Sequence, residues 1–224
     1  MRKVGVIGLG HVGSTVAYTL VTKGIADELV LIDTNEAKCT AEFYDLLDSL
    51  GRLDTYTKLS MNDYKALQDA DVVITAFGDI KALADGGNRF LEYSFNCQQA
   101  KQVGTALKEA GFHGVLINIS NPCDVITGLL QHYTGLSRQQ VFGTGTFLDT
   151  ARMQRAVSMS LDQNPHNIAG YVLGEHGESQ FAAWSTITVQ GEPITEIAKD
   201  QHLELSELDK AARGGGWLVF NGKK

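Results

Sequence analysis

One feature constrains this chain more than any other: short apolar runs alternate with longer stretches of helical, amphipathic pattern. The runs are Val4–Ile7, Leu29–Ile32, Val72–Ala76 and Val115–Ile119, and the helical patterns cover roughly 12–23, 36–50, 89–110 and 123–133. Runs this short and this apolar read as strands buried on both faces, and a helix after each supplies the crossover that parallel pairing needs. The expected fold is α/β, a doubly wound parallel sheet with helices on both faces. From about residue 148 the rhythm changes to a helix through 148–161, then Pro165, a strand before "GEHG" and a hairpin around "QGEP". A boundary near 145 divides the chain into 1–145 and 146–224, the latter part of an α+β domain. With three prolines in 224 residues and no repeat or low-complexity tract, a compact chain is expected.

The first run ends in "GLGHVG", which spaces Gly8, Gly10 and Gly13 as a Rossmann-type dinucleotide fold requires. Three glycines at those offsets mean little alone; their place between a strand and a helix gives them weight. Gly8 permits the tight turn, Gly10 lets the backbone approach a pyrophosphate, and Gly13 lets the helix pack against the strand. His11 and Val12 open that helix, so they join the glycines as cofactor-binding candidates beside an N-terminus that favours an anion. Asp33 ends the strand "ELVLID" 20 residues beyond Gly13, where a carboxylate accepts hydrogen bonds from the adenosine ribose. Its charge would repel a 2′-phosphate, so the expected cofactor is NAD rather than NADP. The plainer alternative is an ordinary strand–helix turn with an unrelated aspartate.

Bulk properties narrow the partners. A net charge of −7 speaks against a general nucleic-acid or anionic-membrane binder, without forbidding a local basic pocket. Cys39, Cys97 and Cys123 are odd in number and widely spaced, with no Cys/His cluster of ligand spacing. Neither disulfides nor a metal is expected, which fits a reducing cytosol. A strand starts almost at Met1, no signal-like segment precedes it, and no apolar run is of membrane length, so a cytoplasmic location is expected.

"GEHGES", residues 174–179, places Glu175, His176 and Glu178 in a polar turn directly after Tyr171, Val172 and Leu173. Four further candidates sit at strand ends or helix starts, where ligands bind in open α/β sheets. Asn121 lies in "SNP" after a strand, Asp149 and Arg152 lie three apart in "LDTAR", and Arg89 follows the glycine-rich 78–87 segment. Each has a bland alternative: a structural histidine, an asparagine in a turn, a helix-capping aspartate, arginines on solvated faces. Together they have a chemical logic. The fork of Arg152 suits a carboxylate, and His176 can donate a proton to a carbonyl being reduced. Asp149 would hold the ring and favour the imidazolium, while Arg89 would stabilise charge growing on the oxygen.

"GLGHVG", "GIADELVLID", "SNP", "GTGTFLDTARMQ" and "LGEHGESQF" resemble the L-lactate/malate dehydrogenase family in order along the chain, nearest to its L-2-hydroxyisocaproate branch. The resemblance implies a NAD-dependent L-2-hydroxyacid dehydrogenase working on small 2-oxo and 2-hydroxy acids, assembled as a homo-oligomer. It implies His176 as acid/base paired with Asp149, Arg152 on the substrate carboxylate, and Asn121 touching substrate and cofactor. It also implies Arg89 as a mobile-loop arginine and a cis bond before Pro122.

Between Gly78 and Arg89, "DIKALADGGN" is longer than lactate-specific relatives lead one to expect. In its length Lys81 is the only cation, beside Asp79 and Asp85, so a dicarboxylate is disfavoured and a bulky apolar 2-oxo acid such as 2-oxoisocaproate expected. Gln154 and Ala169 stand where some relatives bind fructose 1,6-bisphosphate through cations, so no such activation is expected. Family members continue past a segment like "GGGWLVFNGKK" into a further stretch that completes the substrate pocket, so the chain is expected to be C-terminally incomplete. If it is not, Trp217, Leu218 and Phe220 are expected to expose apolar surface. Three alternatives stay open: a NAD-binding fragment without catalysis, an L-lactate dehydrogenase with a small pocket, and a metal-requiring NAD-dependent glycosidase of related fold.

Overall fold

The computed structural model describes residues 1–79 and 89–222, apart from the side chains of 89–91, 217, 220 and 221. It divides into two compact units, Met1–Gly143 and Thr144–Lys224.

In the first unit, β1 (Lys3–Ile7), α1 (His11–Thr22), β2 (Glu28–Ile32) and α2 (Glu36–Leu50) follow one another. After them come β3 (Lys58–Met61), β4 (Val72–Thr75), α3 (Arg89–Ala110), β5 (Val115–Asn118), α4 (Cys123–Thr134) and β6 (Val141–Gly143). Every sheet pairing is parallel, in the order β3-β2-β1-β4-β5-β6. The strand order reverses between β1 and β4, and Gly5 of β1 lies level with Val30 on one side and Val73 on the other. Strand periodicity sorts the side chains. Val4, Val6, Leu29 and Leu31 pack with α1 on one face, while Ile7, Val30, Ile32 and Val73 pack with Leu107, Ile126 and Leu130 on the other.

Two strands are absent from the sequence reading. β3 has no fully buried residue, and β6 has three residues of which only Val141 is buried, so neither shows the apolar run that marks the inner strands. Burial rather than propensity made the other four legible.

The second unit holds α5 (Phe147–Leu161), β7 (Ile168–Ala169), β8 (Val172–Leu173), β9 (Phe181–Ala182), β10 (Thr188–Val189) and β11 (Glu192–Pro193). Two helices follow, α6 (Ile194–Asp200) and α7 (Leu205–Gly222). The expected "QGEP" hairpin joins β10 to β11 through Gln190 and Gly191, both at positive φ as a tight hairpin demands. Met153, Val157, Ile168, Ile187, Ile194 and Leu208 form the core of this unit. The strand before "GEHG" is β8, which pairs antiparallel with β9, so residues 174–180 form the connection between them. The fold is the Rossmann-type doubly wound sheet followed by a smaller α/β unit.

Candidate active site

The turn after β1 is shaped by absent side chains. Gly8 has φ +91°, and a Cβ there would lie 2.7 Å from the backbone of Phe77. A Cβ on Gly13 would lie 1.8 Å from the Gly8 carbonyl oxygen, so α1 packs where only glycine fits. Gly10 faces open space, with nothing within 4 Å of its would-be Cβ. No side chain caps α1 and no acidic residue lies in its first turn, so the start of the helix at His11 and Val12 is electrostatically open to an anion. Asp33 reinforces the cradle: its Oδ2 accepts the Leu9 N–H at 2.7 Å and its Oδ1 the Asn35 N–H at 2.8 Å. A carboxylate offers about four acceptor positions, which leaves room for ribose hydroxyls. These residues fit a dinucleotide.

At the end of β5 a buried polar network sets the next turn. Asn118 Oδ1 accepts from Thr75 Oγ1 and from the Ser120 N–H, each at 3.0 Å, while its Nδ2 donates toward Ser120 O and Cys123 O. The Asn121–Pro122 peptide is cis, as expected. Asn121 is exposed, and its carbonyl accepts a 2.6 Å hydrogen bond from Asn96 Nδ2 on α3. Ser120 Oγ and Asn96 Oδ1 are buried without a partner among the described residues.

The second unit brings three of the candidates together around one carboxylate. Asp149, in the first turn of α5, is only 3% exposed. Its Oδ2 accepts from His176 Nδ1 at 2.5 Å and its Oδ1 from Arg152 Nη1 at 3.1 Å. Asp149 therefore orients both groups at once. With Nδ1 committed to the carboxylate, the proton-bearing tautomer is fixed and Nε2 is the nitrogen available to a substrate. The imidazole and guanidinium are each about one-fifth exposed, enough to meet a small molecule. Gly174, at φ +94°, turns the chain off β8, and Ser179 O lies 3.2 Å from where its Cβ would be.

Sequence reading overlooked three contributors. Asn96 is wholly buried within an otherwise unremarkable helix. Gly215 and Gly216 of α7 lie against Arg152, with a Cβ on Gly216 falling 3.3 Å from Arg152 Nη2. Arg213, two residues before Gly215, reaches the 174–180 connection. No local motif flags any of them, because their partners are distant in sequence. Arg89 begins α3, but its side chain lies outside the described residues, as do Lys81 and Asp85. Gln154 Nε2 donates to Ile168 O at 2.9 Å, while Ala169 is exposed. Among the described residues there is no cluster of three metal-ligating side chains and no helix long and apolar enough to cross a membrane.

A cradle shaped for a dinucleotide, and a histidine and an arginine held on one buried aspartate, are the two requirements of one class of enzyme, the nicotinamide-dependent dehydrogenases of 2-hydroxy acids. Residues 2–143 match the lactate/malate dehydrogenase NAD binding domain, and residues 146–223 match the alpha/beta C-terminal domain of the same family. An L-lactate dehydrogenase 3 from Bacillus thuringiensis subsp. konkukian is 37% identical over 99% of this chain and 71% of its own length. An L-lactate dehydrogenase from Lactococcus lactis subsp. cremoris is 36% identical over 100% of this chain and 72% of its own. The ligand-bound minor L-lactate dehydrogenase of Enterococcus mundtii superposes with a TM-score of 0.92 at 35% identity, covering 99% of this chain and 71% of that one. The Cryptosporidium parvum enzyme, solved with lactic acid and the dinucleotide, superposes with a TM-score of 0.86 at 26% identity, covering 95% and 67%. The chain belongs to the lactate/malate dehydrogenase family, whose cofactor is NAD and whose members are oxidoreductases acting on 2-hydroxy acids.

Proposed function

We propose that this protein reversibly reduces 2-oxo acids to L-2-hydroxy acids, with His176 as proton donor, and that it accepts side chains bulkier than that of pyruvate. The observation that carries this reading is the grip of the nearly buried Asp149 on both His176 and Arg152. Residues 1–145 serve the cofactor: the backbone around Gly8, Gly10, His11, Val12 and Gly13 would receive the pyrophosphate, and Asp33 the ribose. Asn121 would contact both cofactor and substrate. When bound, NADH supplies the hydride accepted at C2 of the oxo acid.

The chain's own residues do the rest. Arg152 pairs with the substrate carboxylate through parallel N–H donors, which fixes C1 and thereby the orientation of the carbonyl. His176 Nε2–H then lends its proton to the oxygen as the C–O bond becomes single, and the ring is left neutral on Asp149. Asp149 stays a carboxylate throughout and needs no reorganisation at that moment, because its position is set before the substrate arrives. In the reverse direction neutral His176 takes the hydroxyl proton. Arg89 would stabilise the oxygen's transient charge.

One feature favours a bulky acyl chain, the mostly apolar sequence between Gly78 and Arg89. The names of the relatives favour a second reading, with pyruvate and L-lactate as the preferred pair. NADH oxidation with 2-oxoisocaproate, pyruvate and oxaloacetate in parallel tests both, with His176→Ala as control. Turnover should fall by about 10²–10⁴-fold in the variant. Unchanged turnover there removes the proton-donor role, and a clear preference for pyruvate selects the second reading.

A further inference from the structure

The connection that carries His176 has little of its own to hold it. β8 and β9 are two residues each, joined by two pairs, Val172 with Ala182 and Leu173 with Phe181. Within the connection itself, Ser179 Oγ donates to Glu175 Oε2 at 2.8 Å and Gln180 N–H donates weakly to Gly177 O at 3.3 Å. The imidazole reaches Asp149 at 2.5 Å, so its placement depends on where these seven residues sit.

Arg213 supplies the missing restraint. Its Nη1 donates to Glu178 O at 3.0 Å and its Nη2 donates to Gln180 O, so one planar fork holds two alternate carbonyls of the connection. The fork is itself aimed by Asp209, one turn earlier on α7, whose Oδ2 accepts from Nε at 2.6 Å. The guanidinium is 32% exposed and the carboxylate 29%, a partly buried arrangement in which geometry counts for more than at an open surface. Two residues further along the same helix, Gly215 and Gly216 lie against Arg152. A single turn of α7 therefore touches both the support of the histidine and the arginine.

We propose that Arg213, aimed by Asp209, is a positioning residue of the active site: it fixes the 174–180 connection so that His176 meets Asp149 and the substrate oxygen in register. The proposal rests on the reading of His176 as proton donor. Arg213 touches no reacting atom. Loss of the clamp would let the connection drift, and a displacement of about 1 Å can cost about 10²-fold in rate.

The experiment compares Arg213→Ala, Arg213→Lys and Asp209→Asn in the full chain. Three readouts apply: steady-state kinetics with a 2-oxo acid, NADH affinity by fluorescence, and NMR of the 177–180 amides and the His176 ring nitrogens. Arg213→Ala should lower kcat about ten- to a hundredfold with NADH affinity unchanged. It should also speed amide exchange at Glu178–Gln180 by about tenfold or more, and shift the His176 ring signals. Arg213→Lys, which keeps the charge and the stem, should recover part of the rate, and added methylguanidinium should recover part of it in Arg213→Ala. If Arg213→Ala keeps kcat within about twofold, or leaves the 177–180 exchange and the His176 signals unchanged, the proposal is overturned. The NMR readouts decide it even without turnover. His176→Ala run alongside separates the two claims: retained turnover there removes the proton-donor reading, whereas abolished turnover with an unaltered Arg213→Ala removes only the clamp.

Discussion

Asp149 is a charge that water scarcely reaches, and each of its oxygens already serves another functional side chain. Burying a carboxylate is tolerable only with such partners, and removing the charge leaves both of them misdirected. In Asp149→Asn an amide NH2 replaces one acceptor, so the imidazole must turn its other nitrogen inward or lose its partner. We expect kcat to fall by about 10²–10⁴-fold, with a smaller rise in KM as Arg152 loosens. Steady-state kinetics on a variant with native circular dichroism checks this, and a kcat within about threefold of the parent would refute it. Asp33 ties down the Leu9 N–H and, under the proposed function, would also take the ribose hydroxyls. Asp33→Ser should reduce the preference for NADH over NADPH by at least about tenfold, since like charges brought together cost several kcal/mol. Equal discrimination in parent and variant would dismiss the role. The residues of the site were legible in sequence where a motif places the chemistry within a few positions, as in "LDTAR" and "GEHG". Asn96 and Arg213 were not, because each acts on backbone 25 and 35 residues away.

Elements announced themselves to the extent that burial forced a period on them. β1 and β2 each bury four of five residues, so each shows in the letters as a continuous apolar run, which the fold then divides between two cores. α7 is the opposite case. Three consecutive glycines, Gly214–Gly216, stand inside a helix where each costs about 1 kcal/mol relative to alanine, so propensity argues against the element that the tertiary structure builds. Close packing explains two of them: a Cβ on Gly215 would meet Arg155 Nη2 at 2.8 Å and one on Gly216 would crowd the Arg152 guanidinium, while Gly214 faces open space. A smaller device joins the starts of two strands. Arg2 donates from Nη2 to Asp27 Oδ1 at 3.0 Å and from its backbone N–H to Oδ2 at 2.6 Å, stapling the approach to β1 against that to β2. The side-chain hydrogen bond from Arg2, ahead of the backbone one, lowers the Asp27 carboxyl to about 2. A depressed acid stabilises the fold above its unfolded value of about 3.9, and that contribution fades as pH drops from about 4 to about 2. NMR titration should place the Asp27 midpoint near 2, and Arg2→Ala should move it upward. A midpoint unmoved by that substitution would show that the side chain is not the cause.

At the scale of the whole molecule, family and chemistry were readable long before specificity, and for a physical reason. Hydride and proton transfer to a 2-oxo acid need a few groups in fixed geometry, whereas the choice among oxo acids depends on the volume and charge around a side chain. Discrimination by one or two methylenes is worth only about 1–3 kcal/mol, so it leaves no motif. Charge is the stronger discriminator. Oxaloacetate carries a second carboxylate that must find a cation, and between Gly78 and Arg89 the sequence offers Lys81 against Asp79 and Asp85. Gly216, close against the Arg152 guanidinium, adds no charge there. Gly216→Val would crowd the guanidinium and any acyl chain seated beside it. If the bare helix face accommodates the acyl chain, the ratio of kcat/KM for 2-oxoisocaproate to that for pyruvate should fall about tenfold or more in this variant, while oxaloacetate stays poor in both. A ratio that falls only because both substrates lose the carboxylate contact would appear as an equal rise in the two KM values, and would assign Gly216 to the seating of Arg152 alone. An unchanged ratio with unchanged KM values would place the acyl chain elsewhere and return the choice of substrate to the sequence between Gly78 and Arg89.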